Sequence, residues 1–281
     1  QIFTCFGCGA TGDAIEFVKK YYNLPFPDAV RKLADQYGIE IADSYARQGK
    51  KRAPYYEANR IAARFFFDAL TGKANPAYTY MKGRGFEDKT LVQFGIGYSD
   101  ENWQSLSDYM KASGISEEML MELGLSSRQE RRASLYDYFR GRVMFPIINT
   151  VGKVVGFGGR VLGDGVPKYL NSRESLVFEK KRNLYGLNLT KGDIREKGFA
   201  VLVEGYLDVM SLYQAGVRNV VATLGTALTS EQAKLLTKYT KKIILCYDAD
   251  SAGVNAALRG IDVLRDEGAD VRVLHVDDGK D

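Results

Sequence analysis

The sequence predicts an α/β protein in two parts: a mixed α+β region, then a smaller region built on a parallel sheet with crossover helices. Two observations carry this expectation. From Phe199 onward FAVLVE, YLDVMSLYQAG, NVVAT, SEQAKLLTKY, KIILCYD, VNAALRGIDVLRDEG and VRVLHV alternate short β-branched runs with helical segments, the rhythm of strands joined by helices. Upstream, helical segments give way to RVMFPII and KVVGFGGRVL on either side of NTVG, which read as strand, turn and strand. A length of 281 residues with 45% hydrophobic content supplies material for roughly two or three cores.

In chain order, QIFTCFGCGATGD comes first, with Cys5 and Cys8 at C-x-x-C spacing. Two thiols offer half of a tetrahedral zinc site, which closes on four ligands. The remaining cysteine and the single histidine, Cys246 and His275, lie in apolar strand-like runs and do not look like a metal knuckle. DAIEFVKKYY and FPDAVRKLADQY read as two short helices, the second with Pro27 and Asp28 in its first turn. DSYARQGKKRAP, polar and carrying Gly49 and Pro54, reads as a linker. The expected division is therefore 1–42, a linker at 43–54, a basic mixed region at 55–198 and the parallel-sheet region at 199–281. In YYEANRIAARFFFDAL the sets Ile61/Phe65/Ala69 and Ala62/Phe66/Leu70 recur at i, i+4, so this helix packs a broad apolar face. WQSLSDYMKAS and SEEMLMELG read as further short helices.

No apolar run approaches the ~18 residues of a membrane span. The first residue is glutamine and no basic-then-apolar leader follows, which reads as a chain cut from something longer. Three cysteines, two of them spaced like a chelate, fit a reducing cytoplasm better than a disulfide framework. The net charge of +4 is unevenly spread: residues 126–182 hold 12 basic and 5 acidic residues, and residues 200–281 hold 9 and 12. A basic middle asks for a polyanion, and an acidic end asks for a reason to concentrate carboxylates.

That reason lies at the carboxyl ends of the expected strands, where ligands of open α/β sheets bind. Glu204 ends VLVE, Asp248 and Asp250 end IILCYDAD, and Asp277, Asp278 and Asp281 follow VLHV. In an extended segment Asp248 and Asp250 would project to one side and share a cation. Clustered carboxylates repel unless divalent ions neutralise them, and all-oxygen ligation selects magnesium or manganese. A strand-end Asp also caps helices, and Asp208, in the turn after Glu204, is equally explained by the helix dipole.

These residues carry a resemblance. VEGYLDVMSLYQAGVRNVVATLGTALTSEQ and LCYDADSAG look like a Toprim domain, a Rossmann-like metal-binding module of primases, topoisomerases and some nucleases. GRVMFPI, VVGFGGRVL, PKYLNS and NLYGLN resemble the core of bacterial DNA primase over residues 55 to 281. The resemblance implies Glu204, Asp248 and Asp250 as catalytic residues and metal ligands, with Asp281 in the last acidic motif, which departs from the family's Asp-Pro-Asp ending. It implies a zinc ribbon at the N-terminus, of which Cys5 and Cys8 would be the second pair.

The basic middle interleaves cations with aromatics: Arg128, Arg131, Arg132, Arg140 and Arg142 surround LYDYF, followed by Arg160, Lys168, Tyr169, Lys180, Lys181 and Arg182. Cations track phosphates and flat side chains stack on single-stranded bases, although Arg131 and Lys181 are individually better read as solvated charges. The resemblance implies template or nucleotide contacts for Arg142, Arg160, Lys168, Tyr169 and Lys180. GFGG lacks the dinucleotide-binding spacing and reads as a strand that needs close backbone approach. The implied activity is template-directed synthesis of RNA primers on single-stranded DNA from ribonucleoside triphosphates. A replicative helicase would be the partner, bound through a region outside this chain. The alternatives are a Toprim nuclease or topoisomerase, and a non-catalytic single-strand-binding module.

Overall fold

The computed structural model describes residues 2–7, 9–22, 24–39, 43–71, 75–128, 135–225, 227–248 and 251–274, with backbone alone at 43–50 and 251–252. The chain divides into two compact units, Gln1–Glu57 and Ala58–Asp281.

In the first unit β1 (Phe3–Thr4) and β2 (Thr11–Gly12) pair antiparallel around a turn closed by the Cys5 N–H on the Ala10 carbonyl at 2.8 Å. Helices α1 (Ala14–Tyr22) and α2 (Phe26–Tyr37) follow, over nearly the segments the periodicity marks. Pro27 lies in the first turn of α2, where its missing N–H costs nothing, and Gly38 ends the helix in the left-handed region at φ +64°. The segment read as a linker is helical instead: α3 runs Asp43–Thr71 with Pro54 inside it. Proline removes one intrahelical bond, and the good helix formers around it, Lys50 to Ala53 and Glu57 to Ala63, outweigh that loss. Asp28 accepts from Arg52 Nη1 and the Tyr56 hydroxyl, each at 3.1 Å.

In the second unit one stripe of α3 is fully buried, through Ala58, Ala62, Phe66 and Leu70, while Ile61, Phe65 and Ala69 are half-buried. Short elements follow: α4 (Pro76–Gly83), α5 (Asp88–Phe94), β3 (Gly97–Ser99), α6 (Ser105–Ala112), α7 (Glu117–Glu122), and the strand pair β4 (Ser126–Arg128) and β5 (Leu135–Asp137). The expected hairpin is β6 (Arg142–Ile148) with β7 (Val154–Val161), flanked by β3 and by β8 (Tyr169–Asn171) in an antiparallel sheet of order β3-β6-β7-β8. Its turn is built by Asn149, whose side chain accepts from the N–H groups of Val151 (3.1 Å) and Lys153 (2.9 Å). Register places Phe145, Gly158 and Asn171 in one row across three strands, and Val143, Arg160 and Tyr169 in the next row on the same face.

After α8 (Leu187–Lys197) the alternation begins: β9 (Ala200–Val203), α9 (Tyr206–Gln214), β10 (Val220–Ala222), α10 (Ser230–Leu236), β11 (Lys242–Leu245), α11 (Ser251–Asp266) and β12 (Asp270–Val273). The strands form a parallel sheet of order β10-β9-β11-β12. Leu202, Val221, Ile243 and Leu245 pack with Leu235, Leu236 and Leu264 in its core. Because the chain leaves β9 for one neighbour and returns to its other side as β11, the strand order reverses between β9 and β11, which opens a crevice at their carboxyl ends.

Candidate metal centre and nucleic-acid interface

Glu204 directly follows β9, and Asp248 lies three residues past the end of β11, so both stand at that reversal point. The strand ends at Leu245, with one further ladder bond from the Cys246 N–H to the Leu202 carbonyl at 2.9 Å. Alternation along an extended strand therefore stops before Asp248. What places Asp248 is its own N–H, which donates to Glu204 Oε1 at 3.2 Å. Asp208, in the first turn of α9, accepts from the Gly205 N–H at 2.8 Å and so holds the start of that helix. Its carboxylate is exposed, as is Asp248, and Glu204 is half-buried. The crevice has a floor with no room for a side chain: a Cβ on Gly253 would lie 2.2 Å from the Asp248 carbonyl oxygen and 3.0 Å from Glu204 Oε1.

The negative potential of this edge is felt by its neighbours. Burial pushes the Cys246 thiol up, and the charges of Asp208 and Asp248 push it further. Burial also raises the Tyr247 phenol, with Glu204 adding to it. A thiol held protonated is a poor metal ligand. The oxygens of Glu204, Asp208 and Asp248 are hard donors of the kind that suits a hard divalent cation, and all three stand at one edge of the sheet. Among the described residues no three His, Cys, Asp or Glu side chains form a ready cluster. Asp250, Asp277, Asp278 and Asp281 lie outside the described residues, as does Cys8, while Cys5 is exposed.

The cations expected on nucleic acid do not share one fate. Arg160 is half-buried on β7 between two rings, its guanidinium carbon 5.1 Å from the centroid of Tyr80 and 5.3 Å from that of Tyr169. Its Nη1 donates to the Tyr169 hydroxyl at 2.9 Å, and its buried Nε has no partner among the described residues. Lys168 is exposed one residue before Tyr169. Burial raises the Tyr169 phenol, and Asp208 is among the charges that add to it, so the cationic row and the acidic edge are electrostatic neighbours. Beside this row an open groove of about 620 Å³ is lined by Asn75, Pro76, Thr79, Tyr80, Leu162 and Gly163.

Arg142 stands apart. It is 7% exposed, and its Nη1 donates to the carbonyls of Pro167 (3.0 Å) and Gly159 (3.3 Å), so it ties strands rather than facing solvent. Lys180 opens a 3-10 turn, Lys180–Arg182, whose carbonyls serve α10: Gln232 Nε2 donates to Lys180 (3.3 Å) and Thr229 Oγ1 to Lys181 (2.9 Å). Lys181 and Arg182 pair with Glu231 and Glu179, and Arg128 with Glu117. Arg131 and Arg132 lie outside the described residues. Sequence reasoning missed Tyr80, whose only signal is a tyrosine in a short helix, and Trp103. Trp103 is 54% exposed beneath the Arg140 guanidinium at 4.3 Å, with Tyr136 edge-on at 5.8 Å.

Three family models match successive stretches of the chain. Residues 1–49 match the CHC2 zinc finger model, 65–191 the N-terminal domain of the DNA primase catalytic core, and 201–281 a Toprim-like domain. The DNA primase of Clostridium acetobutylicum is 47% identical over 286 residues, covering all of this chain and 47% of the relative. That of Aquifex aeolicus is 40% identical over 282 residues, again over the whole chain, and 55% of it is covered. The chain thus spans about half the length of the curated relatives it matches. The crystal structure of the Aquifex aeolicus primase zinc-binding and RNA polymerase domains superposes with a TM-score of 0.76 at 39% identity, covering 100% of this chain and 68% of that one. A DnaG primase catalytic domain bound to ssDNA gives 0.74 at 36% identity, covering 84% and 76%. Likeness that holds from the first residue to the last, in fold as in sequence, makes this chain a member of the bacterial DNA primase family.

Proposed function

We propose that the chain carries the nucleotidyl-transfer centre of a cytoplasmic primase, which joins ribonucleoside triphosphates on a single-stranded DNA template. The observation that carries this reading is the nearness of two unlike surfaces in one unit. Tyr169, bonded to Arg160, lies 6.1 Å ring to ring from Tyr206, which begins the helix that carries Asp208 and follows Glu204 by two residues. One surface holds phosphate and the other holds cations that act on phosphate.

Glu204 and Asp248, with Asp250 and Asp281, would hold magnesium or manganese, and Asp208 steadies the helix start beside them. When bound there, a divalent ion supplies a lowered pKa for the attacking 3′-hydroxyl and neutralises charge on the departing pyrophosphate. The new bond joins the 3′-oxygen to the α-phosphorus, and the bond from that phosphorus to the β-phosphate bridging oxygen breaks. Arg160, held against two rings, would present the accessible part of its guanidinium to a phosphate without losing further side-chain freedom. Lys168 would add a mobile point charge, and Tyr80, Tyr169 and Trp103 offer flat faces for bases. Cys5 and Cys8 would contribute to a structural zinc site. Likeness to the family extends the proposal to a replicative helicase as partner.

The test is release of pyrophosphate when the chain meets ribonucleotides, manganese and a single-stranded template. Cleavage of existing strands without pyrophosphate would turn the reading to a nuclease, and strand binding with neither activity would refute the catalytic reading.

A further inference from the structure

Tyr206 is the first residue of α9 and stands between two carboxylates, Glu204 and Asp208. It is 3% exposed, and its ring does not lie in the parallel-sheet core of its own strand-helix pair. It reaches across to the antiparallel sheet. There it stacks on Phe145 at 5.0 Å and 16°, and its hydroxyl donates to Asn171 Oδ1 at 2.5 Å. Phe145, Gly158 and Asn171 are the in-register row of β6, β7 and β8, so the ring lies along that row from β6 to β8. The middle position is a glycine for a steric reason. A Cβ there would sit 2.5 Å from both Cζ and the hydroxyl oxygen of Tyr206, closer than any real contact. Asn171 is held in turn, since its Nδ2 donates to the Leu224 carbonyl at 2.7 Å beyond β10.

The adjacent row on the same face is Val143, Arg160 and Tyr169. Rows on one face of a strand are about 7 Å apart, fixed by covalent geometry. The seat of Tyr206 thus lies one step from the Arg160 cation, and the residue seated is two residues along the chain from each of Glu204 and Asp208.

We infer that Gly158, Tyr206 and Asn171 are positioning residues, a slot, key and latch that set the distance between the phosphate-holding row and the carboxylate edge. None of the three needs to touch substrate to do so. The inference rests on the proposed nucleotidyl-transfer reading. Misplacing reacting groups by an ångström costs on the order of 100-fold in rate, whereas each separate surface keeps its ligand.

The test compares Gly158→Ala, Tyr206→Phe, Asn171→Ala and the Tyr206→Phe/Asn171→Ala double variant with the parent chain. Ribonucleotide incorporation, single-stranded DNA affinity, manganese affinity by electron paramagnetic resonance and amide hydrogen exchange across residues 204–210 are measured. In Gly158→Ala, kcat should fall about 10- to 100-fold, with DNA and manganese affinities within about twofold of the parent and faster exchange at 204–210. The two single variants should each lose several-fold in kcat, and the double variant no more than the worse single, because both break one latch. Additive losses, or parental kcat and exchange in Gly158→Ala, overturn the inference. A parallel loss of DNA affinity also overturns it, by making the row a contact surface. Should Gly158→Ala fail to fold, Tyr206→Phe keeps the ring in its slot and decides the matter with Asn171→Ala. If the parent releases no pyrophosphate, the proposed reaction falls. Exchange at 204–210 then decides the latch by itself, and no change in Tyr206→Phe would sink it.

Discussion

Replacing Lys168 and Arg160 by alanine should have different consequences, although both remove one positive charge beside Tyr169. Each phosphate contact on a single strand contributes about 0.7 to the slope of log affinity against log salt. Raising salt from about 50 to about 200 mM should therefore weaken either variant about 2.6-fold less than it weakens the parent. The fold responds to only one of them. Lys168 is exposed, so its loss should leave the melting temperature within about a degree of the parent. Arg160→Ala removes two guanidinium–ring contacts, each worth roughly 0.5–1 kcal/mol, and a hydrogen bond worth about 1 kcal/mol to Tyr169. A loss of about 2 kcal/mol lowers the melting temperature of a unit this size by roughly 4–8 °C. Fluorescence anisotropy with a labelled single strand gives the slopes, and a thermal melt gives the stability. Parental slopes in both variants would remove the row from the template track, and a thermally silent Arg160→Ala would contradict the stacked geometry.

Three other outcomes are expected. Tyr185 is 3% exposed among Phe94, Phe145 and Tyr206, and its hydroxyl has no partner among the described residues, so Tyr185→Phe should stabilise by about 1 kcal/mol. A drop in denaturation midpoint would show that the hydroxyl is satisfied. Asp248→Asn should weaken manganese binding on the order of tenfold and leave strand affinity equal or slightly higher, since it removes a negative charge from the edge near the cationic row. Unchanged manganese affinity would exclude Asp248 as a ligand. Burial raises the carboxyl of Asp137, against the lowering effect of its bonds from Ser107 and the Leu106 N–H. A carboxyl raised on folding contributes stability that is present below its unfolded pKa and lost as pH rises through its folded one. The stability gap between the parent and Asp137→Asn, measured by urea unfolding, should therefore widen as pH falls through the acid range, and a gap that narrows would reverse the assignment.

The parallel sheet is legible because each of its strands is a short apolar run punctuated by a glycine or a charge, and each helix between them carries its own period. The acidic edge is legible for a related reason: burial forbids carboxylates within β9 and β11, so the first ones after Val203 and Leu245 mark the strand ends. Local patterns say much less where the determinant is distant. Pro54 suggests a break that the surrounding helix formers override. Arg142 reads like Arg160, and only the fold reveals that one is turned onto carbonyls and the other held between rings. Tyr206 reads as one more aromatic in an amphipathic helix, because the residues of its slot, Asn171, Gly158 and Phe145, lie 35 and more residues upstream. The need for close approach at GFGG is visible in the glycines, but not what approaches.

The turn built by Asn149 acquires a meaning from this arrangement that its place at the tip of a hairpin does not suggest. It sets which residue of β7 faces which residue of β6, and a one-residue slip would turn every side chain of β7 to the opposite face. Gly158 would leave its row, Phe157 or Gly159 would take its place with the opposite facing, and Arg160 would point away from Tyr169. A chain folded with that error would keep its strand count, its hydrophobic content and its acidic edge, and would be chemically silent. Fidelity of the proposed catalytic surface is then decided during hairpin closure, by a five-residue loop, 149–153, that carries no functional group of the site.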